Sequence, residues 1–251
     1  MSTQVRLAVE DWRADVTFTT PDGLNVLSSE ALRALYLVLS DLRSRKGVRV
    51  IVLRAEGRAF IAGADLKEVR GFHRAAALEY ASLGLEVFNL LSALPAVTIA
   101  AINGAALGGG LEIAVSCDFR VAVKDARLGL PEVTLGLIPG WGGIGRVTRL
   151  VGPARAKLMF LSGRHYAASE AVSFGLVDVL ADSTEDLGGQ VSSFARMFLR
   201  AAPSAIALAK RASRDADDLG AFVDCFDSAE AHEGIAAFLE KRPPKWTENT
   251  G

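Results

Sequence analysis

One stretch of the chain, residues 95–112, restricts the fold more than any other; it reads PAVTIAAINGAALGGGLE. Its apolar, β-branched run from Val97 to Ile102 predicts a buried strand, and the Asn103-Gly104 pair predicts a turn after it. Three consecutive glycines, Gly108 to Gly110, then precede an apolar segment with helical spacing. Because glycine is costly inside a regular element, the triplet indicates a place where the backbone approaches another group closely.

The start of the helix after these glycines is suited to bind developing negative charge. Its first N–H groups have no intrahelical partners, and the helix dipole adds partial positive charge there. Glu112 lies in the first turn of the same helix. Considered alone, an acidic residue at this position more often serves only to complement the helix dipole. A catalytic role for Glu112 therefore requires further groups nearby. We predict an oxyanion site with a neighbouring carboxylate.

A second candidate segment, AFIAGADLKEV, spans residues 59–69. An apolar approach ends at Gly63, and Asp65 begins a helix that carries Leu66 and Val69 on one side. The short loop places the N–H of Ala64 beside a helix start, where an N–H can bind an anionic oxygen. The segment therefore predicts a second donor for the same oxygen.

A third candidate segment, residues 129–152, is rich in glycine and proline and carries Glu132 in a stretch that we predict to be irregular. Carboxylates in such loops are often functional, although an isolated one is commonly a solvated loop acid. Residues 140–145 also fit the pattern GxGxxG. Pro139 disrupts the strand that a dinucleotide site requires before it, so this match is weak.

The order of elements predicts an α/β fold with largely parallel strands. We expect strands over 4–10, 14–19, 48–53, 97–102, 119–123 and 177–180, and helices over 29–46, 72–93, 110–117, 153–161, 167–174, 184–200, 203–214 and 216–240, the last in one or two pieces. Pro203 marks a boundary that divides the chain into a core, residues 1–200, and a C-terminal helical portion, residues 201–251.

The C-terminal portion has more apolar surface than a lone helical tail can bury, and we expect it to pack against a neighbouring subunit. Its apolar residues are Ile206, Leu208, Phe222, Phe226, Ile235, Phe238 and Leu239.

Charge and composition exclude several classes of protein. The formal net charge is -1, which gives no general attraction to nucleic acid or to an anionic membrane. Cys117 and Cys225 are too far apart in sequence to suggest a disulfide framework, and the three histidines lack metal-ligand spacing. The first residues lack the apolar core of a signal peptide. We therefore expect a cytoplasmic protein with no membrane partner, no nucleic-acid partner and no metal.

The three segments resemble the enoyl-CoA hydratase/isomerase family, also called the crotonase superfamily, and the similarity extends over essentially the whole chain. AFIAGADLKE at 59–68 is similar to the family's first oxyanion segment, and NGAALGGGLEIAVSCD at 103–118 to its second. GLPEVTLGLIPGWGG at 129–143 resembles the segment that bears the second glutamate. The ending EAHEGIAAFLEKRPPKW, at 230–246, resembles the C-terminal helix.

The resemblance implies a spiral of ββα units with a C-terminal helical trimerisation portion, which forms a homotrimer or a dimer of trimers. It implies a lyase that hydrates 2-enoyl-CoA thioesters, as in β-oxidation of fatty acids, with coenzyme A entering as part of the substrate and no separate cofactor. By position, the oxyanion donors are the N–H groups of Ala64 and Gly109, and the catalytic glutamates are Glu112 and Glu132. The residues matching the CoA and substrate contacts are Ala62, Asp65, Leu66, Lys67, Gly108 and Trp141.

One departure from the family pattern lies beside the expected site. Where hydratases often read GGTQR, this chain has Gly142-Gly143-Ile144-Gly145-Arg146, which removes a Thr-Gln pair and changes the polarity at the edge of the site. The side chain of Trp141 also adds a large aromatic ring beside the expected acyl pocket.

Three other functions stay open from sequence alone. A double-bond isomerase needs a single well-placed glutamate, so the presence of both glutamates favours a hydratase. A non-catalytic or RNA-binding relative of the same fold is disfavoured by the slightly acidic net charge. A nicotinamide oxidoreductase depends on the weak glycine match alone.

Overall fold

The structure of the chain is a computed structural model that describes residues 2–247. Its strands are β1 (Gln4–Glu10), β2 (Arg13–Thr19), β3 (Val50–Ala55), β4 (Ala59–Ile61), β5 (Val97–Ile102), β6 (Ala105–Leu107), β7 (Phe119–Val123), β8 (Arg127–Gly129), β9 (Tyr166–Ala167) and β10 (Val179–Ala181). Its α-helices are α1 (Ser29–Ser44), α2 (Leu66–Val69), α3 (Arg74–Ser92), α4 (Gly109–Ala114), α5 (Gly143–Val151), α6 (Pro153–Ser162), α7 (Ala168–Ala171), α8 (Thr184–Arg196), α9 (Pro203–Asp215), α10 (Asp218–Asp224) and α11 (Ala229–Leu239). Single 3₁₀ turns span Glu132–Leu135, Val172–Phe174, Met197–Arg200, Cys225–Asp227 and Lys245–Thr247.

Two sheets organise the core. The larger has the strand order β1-β2-β3-β5-β7-β10, and the smaller has the order β4-β6-β8-β9. Only the outer pairs β1–β2 and β8–β9 are antiparallel among the pairs of these two sheets. The prediction of an α/β fold with largely parallel strands is confirmed.

The chain alternates between the two sheets in successive ββα units. Strands β3, β5 and β7 belong to the larger sheet, and each is followed directly by a strand of the smaller sheet, β4, β6 or β8. The chain then turns into a helix or a 3₁₀ turn. Because β4, β6 and β8 are adjacent and parallel, the three segments that follow them emerge at the same edge of the small sheet.

Helix α1 illustrates how local sequence sets an element. The Ser28 side chain accepts a hydrogen bond from the N–H of Ala31 at 3.1 Å, which satisfies one of the free donors at the helix start. Leucines then recur on one face and are fully buried, at positions Leu32, Leu35 and Leu39. The amphipathic spacing thus fixes which face of α1 contacts the core.

A partly buried ion pair joins the C-terminal helix α9 to the core, and a buried arginine lies nearby. Asp118 lies directly before β7, and its Oδ2 accepts hydrogen bonds from the N–H of Thr98 at 2.7 Å and from Nζ of Lys210 on α9 at 2.6 Å. Arg120 is almost fully buried and donates to Asp178 and to the carbonyl of Leu176. Asp118 therefore has the structural role that is expected of an acid at a strand start.

Four short strands and one helix differ from the sequence-based expectations. Strands β4, β6 and β8 have three residues each and β9 has two, too few to produce a periodic signal, so they were not predicted. The prediction that residues 129–152 are irregular was wrong for α5. Its first residues, Gly143, Ile144 and Gly145, have low helix propensity, but Gly143 packs against the buried side chain of Glu112.

Within residues 2–247, no helix is both long enough and apolar enough to cross a membrane. The division into a core and a C-terminal helical portion at residue 200 stays a prediction.

Candidate active site

The candidate site lies where the three ββα units meet. The loop after β4 supplies Ala64, the turn after β6 supplies Gly108 and the start of α4, and the segment after β8 supplies Glu132. The N–H of Gly108 donates to the carbonyl of Gly129 at 2.9 Å, so the second and third segments are joined directly. Residues almost seventy positions apart in sequence thus line one cavity of about 310 Å³.

Two backbone N–H groups at this cavity are available to a ligand. Ala64 forms an isolated parallel bridge with Leu27, in which Gly63 and Asp65 make the hydrogen bonds, so the N–H of Ala64 is left over. Gly109 is the first residue of α4, where an N–H has no intrahelical acceptor. Within residues 2–247, neither group donates to a protein acceptor, and both residues line the cavity.

Each glycine of the triplet is required by a different neighbour. Gly108 has φ +51°, and a Cβ there would lie 3.0 Å from Oε1 of Glu132. At Gly109 a Cβ would lie 2.2 Å from the ring of Trp141, and at Gly110 it would lie 1.9 Å from the carbonyl oxygen of Ile61. The glycine triplet is therefore in close contact with three different residues, Glu132, Trp141 and Ile61, as the sequence indicated.

Glu112 is buried, with 2% of its surface exposed. Its Oε1 accepts hydrogen bonds from the N–H of Trp141 at 2.8 Å and from the N–H of Gly143 at 2.9 Å. Burial raises the pKa of this carboxyl group, whereas the two N–H donors and the positive charge of Arg146 oppose that rise. The donors also fix the orientation of the carboxyl group.

Glu132 lies in a 3₁₀ turn, and its carboxyl group has a different environment from that of Glu112. Its Oε2 is buried and has no hydrogen-bond partner among the described residues. Burial raises the pKa of Glu132 to about 7, and the nearby charge of Glu112 acts in the same direction. Near neutral pH, Glu132 is therefore present in both its protonated and its ionised form.

Most of the predicted site residues line the cavity together. They are Ala62, Ala64, Leu66, Gly108, Gly109, Glu112, Glu132 and Trp141. Asp65 and Lys67 do not line it: the Asp65 carboxylate caps α2 by accepting a hydrogen bond from the N–H of Lys67 at 2.9 Å. Ile144 and Gly145, which replace the Thr-Gln pair, also lie outside the cavity lining.

Trp141 forms one wall of the cavity and is only 3% exposed. Its ring makes edge contacts with Tyr80 and Phe88 at centroid distances of 5.2 Å and 5.4 Å, and its Nε1–H donates to the carbonyl of Tyr80 at 3.4 Å. The ring also fills the space above Gly84 and Gly109. The wall is therefore packed on several sides and has little freedom to move.

Several lining residues could not be singled out from the sequence. Helix α3 contributes Ala77, Tyr80 and Ala81, and the segment after Glu132 contributes Leu137 and Ile138. The signal available for α3 was the spacing of small and aromatic residues at positions three and four apart, which places them on one helix face. These side chains make the cavity mainly apolar.

The prediction of no metal site concerned the three histidines. His73 accepts a hydrogen bond from the N–H of Ala76 and so caps α3. Within the part of the chain that the structure describes, no three His, Cys, Asp or Glu side chains are grouped so as to hold a metal ion.

We expect Glu132→Gln to change the pH dependence of stability. The folded-state pKa of about 7 exceeds the ordinary value of 4.5, so the folded chain binds more protons between these values and the free energy of unfolding falls as pH rises through this window. Gln does not ionise, so the variant does not lose this free energy of unfolding as pH rises. Allowing for partial exposure of the carboxyl group, Glu132→Gln should be about 2 kcal/mol more stable than wild type at pH 8 and equally stable below pH 4.5.

Urea unfolding at several pH values measures this difference. Glu79→Gln is the matched control, because Glu79 is exposed on α3 and does not line the cavity. A stability difference for Glu132→Gln that stays constant from pH 4 to pH 8 would contradict the raised pKa.

Comparison with known proteins gives a consistent result. A sequence profile of the family described as enoyl-CoA hydratase/isomerase matches residues 13–249. A Clostridium acetobutylicum protein named short-chain-enoyl-CoA hydratase is 37% identical over 240 residues, which cover 91% of this chain and 92% of that protein. A Bacillus subtilis protein named probable enoyl-CoA hydratase is 38% identical over 255 residues, 96% of this chain and 98% of that protein.

Solved structures with the same fold include two bacterial proteins. The enoyl-CoA hydratase of Bacillus anthracis has a TM-score of 0.89 at 33% identity, and the match covers 98% of this chain and 99% of that one. Pseudomonas aeruginosa DspI has a TM-score of 0.90 at 35% identity, covering 96% of each chain.

Proposed function

Since this chain belongs to the enoyl-CoA hydratase/isomerase family, we propose that it adds water across the double bond of 2-enoyl-CoA thioesters to give 3-hydroxyacyl-CoA. One observation carries the proposal. Two N–H donors that have no acceptor within residues 2–247, at Ala64 and Gly109, line the same apolar cavity as two carboxyl groups, at Glu112 and Glu132. This combination suits a substrate whose carbonyl gains negative charge while a proton is moved nearby.

The two N–H groups would bind the thioester oxygen. Attack of water at C3 moves electrons toward that oxygen, so donors that bind the developing enolate more tightly than the ground-state carbonyl lower the barrier. The position of Gly109 at a helix start adds the favourable end of the helix dipole. These donors belong to the backbone and are fixed before substrate binds.

The two carboxyl groups would divide the proton transfers. We assign Glu112 to accept a proton from the attacking water, because its two N–H partners favour and orient the carboxylate. We assign Glu132 to share the water and to donate a proton to C2, because its raised pKa keeps part of it protonated near pH 7. Water thus gives hydroxide to C3 and a proton to Glu112, Glu132 gives a proton to C2, and exchange with solvent restores both groups.

The remainder of the substrate would lie along the first site segment. Ala62, Leu66 and Gly108 line the cavity, and we propose that they contact the thioester arm of coenzyme A. Asp65 and Lys67 would contribute through their backbone, since the Asp65 side chain is used as a helix cap. No separate cofactor enters the proposed reaction, because coenzyme A is part of the substrate. A role in β-oxidation and a cytoplasmic location, which suits the free thiols of Cys117 and Cys225, complete this proposal.

The test is the loss of the conjugated enoyl-thioester absorbance of crotonyl-CoA and of a longer 2-enoyl-CoA. Wild type should consume at least one of them, and the double variant Glu112→Gln/Glu132→Gln should consume neither at a measurable rate. If wild type leaves both unchanged but converts a 3-enoyl-CoA into the conjugated 2-enoyl isomer, the chain is an isomerase instead.

We also propose that the chain forms a homotrimer or a dimer of trimers through its C-terminal helical portion, residues 201–251. Large apolar side chains on α10, on α11 and in the turn between them are exposed in the single chain, including Phe222, Phe226 and Phe238, of which Phe238 is 82% exposed. An apolar surface of this kind is uncommon on a monomer and typical of a subunit interface.

Phe238→Glu is expected to shift the assembly toward the monomer, because the interface would have to bury a charge. Sedimentation velocity at micromolar concentration measures the change. Leu37→Glu is the control, since Leu37 is an exposed apolar residue on α1, outside the C-terminal portion. Equal molecular masses for wild type and Phe238→Glu would contradict the proposed interface.

A further inference from the structure

Arg146 lies outside the candidate active site, yet it contacts the loop that holds Glu112. It belongs to α5 and lines a separate cleft of about 860 Å³ that also contains Arg149, Lys210 and Arg214. Its Nη1 donates to the carbonyl of Trp141 at 2.7 Å, and its Nη2 donates to Oδ1 of Asn89 on α3 at 2.6 Å. Arg146 thus joins the loop after residue 140 to helix α3.

The loop contacted by Arg146 provides both hydrogen bonds to Glu112. One of these N–H groups belongs to Trp141, whose carbonyl Arg146 binds, and the other belongs to Gly143, two residues later. Between them, Gly142 has φ +90°, and a Cβ there would lie 2.4 Å from Nη1 of Arg146. The guanidinium group therefore packs directly against the turn that directs these N–H groups at the carboxylate.

The charge of Arg146 is also placed to act on Glu112. The guanidinium donates to a carbonyl and to an amide rather than to a carboxylate, so its charge is not cancelled by an ion pair at these two bonds. It is partly buried, where charges interact more strongly than in water. Burial lowers the pKa of Arg146 and raises the pKa of Glu112, and the attraction between the two charges opposes both shifts.

We propose that Arg146 is a positioning residue. It favours the ionised form of Glu112 and, by holding the Trp141–Gly143 loop, fixes the orientation of the Glu112 carboxylate, so that Glu112 acts as the base and Glu132 as the acid. This assignment of roles depends on the proposed hydratase function, whereas the link between Arg146 and Glu112 does not. Pairs of carboxyl groups perform different proton transfers when their surroundings move their pKa values apart. Here the positive charge of Arg146 acts on Glu112 and provides that difference between the pKa values of Glu112 and Glu132.

Other charged or titratable groups face this pair and enter the test. Glu132, after β8, and Tyr80, on α3, face Glu112 from the cavity side. On the cleft side, Arg149 follows Arg146 by one helical turn. The segment after α4 adds Cys117, Asp118 and Arg120, and α9 adds Lys210 and Arg214. Arg149 provides the matched control, because Arg149→Gln removes the same charge from the same helix and from the same cleft.

The experiment titrates Glu112 by carboxyl ¹³C NMR in the Glu132→Gln background, where one carboxyl group remains at the site. The resonance is assigned by its loss in Glu112→Gln/Glu132→Gln. Arg146→Gln should raise the pKa of Glu112 by about one pH unit, since an opposite charge is lost. Arg146→Lys should shift it by less than half as much, and Arg149→Gln should leave it unchanged within about 0.2 pH units.

Kinetics of the variants in the otherwise wild-type chain give a second readout. The acidic limb of the kcat/KM profile should move to higher pH in Arg146→Gln, because more alkaline solution is then needed to ionise Glu112. Asn89→Ala keeps the charge but frees Nη2, and it should lower kcat about tenfold with KM unchanged. This variant and Arg146→Lys also decide the question if Arg146→Gln does not fold.

Two results would overturn the proposal. One is a Glu112 pKa that is the same in folded Arg146→Gln as in its parent, or that shifts equally in Arg149→Gln or Arg146→Lys. The other is a wild-type kcat in Asn89→Ala. Because the titration requires no turnover, a failure of the hydratase assignment would show as absent wild-type activity and stays distinguishable from a failure of this inference.

Discussion

Glu132→Gln is expected to lower the kcat for crotonyl-CoA hydration by about 10³-fold, within the range of general acid–base contributions. Gln has nearly the shape of Glu, so the cavity and the two N–H donors stay in place, but the amide cannot supply a proton to C2. KM should change less than about fivefold, since the proposed role of Glu132 is limited to the transition state. Steady-state kinetics at pH 7 measure both constants.

Glu79→Gln again serves as the control and should retain wild-type kcat, because Glu79 is exposed and does not line the cavity. Glu112→Gln should be affected to a similar degree as Glu132→Gln, because its amide oxygen can still accept from the N–H groups of Trp141 and Gly143 but cannot take a proton from water. Near-normal kcat in either variant would remove that glutamate from the mechanism.

Gly109→Ala is expected to reduce kcat/KM by about 10²- to 10³-fold, the loss typical of one displaced oxyanion donor. The new Cβ would lie 2.2 Å from Cζ3 of Trp141, far inside contact distance. The ring is held by Tyr80 and Phe88, so the start of α4 must move, and the N–H of Gly109 moves with it. Activity and thermal unfolding should be measured together.

A second substitution identifies the cause of this loss. Gly109→Ala/Trp141→Leu removes the ring that the Cβ would meet, and it should recover at least about tenfold of the lost kcat/KM. Gly188→Ala is the control for glycine replacement, since Gly188 lies in α8 and a Cβ added there would meet no atom within 4 Å. If Gly109→Ala keeps wild-type kcat/KM, the assignment of this N–H as a donor is wrong.

The three site segments could be located from sequence because each contains a local conflict with regular structure. The glycines at 108–110 are poor in a helix or strand, and Gly63 occurs where an apolar run stops. In the structure these glycines are in close contact with Glu132, Trp141 and Ile61, or adopt positive φ. The positions of these glycines in the sequence thus indicated where distant parts of the chain come into close contact.

Other parts of the site could not be predicted because they depend on contacts between distant segments. The wall formed by Tyr80 and Trp141 joins residues 61 positions apart, and Gly84 is needed only because the Trp141 ring lies above it. Likewise, α5 begins with glycines, and its start is stabilised by the Gly143 contact with Glu112. Helix propensity alone gives no indication of such a partner.

The three-unit construction of the site also sets an order of events during synthesis. Glu112 leaves the ribosome before the N–H groups of Trp141 and Gly143, which later bind its carboxylate. Until α5 has formed, α4 cannot bury that side chain without leaving an acid unpaired in the core. The emerging chain therefore has no favourable way to pack α4 into the core before α5 is made. We expect fragments that end before residue 141 to remain incompletely folded and prone to proteolysis.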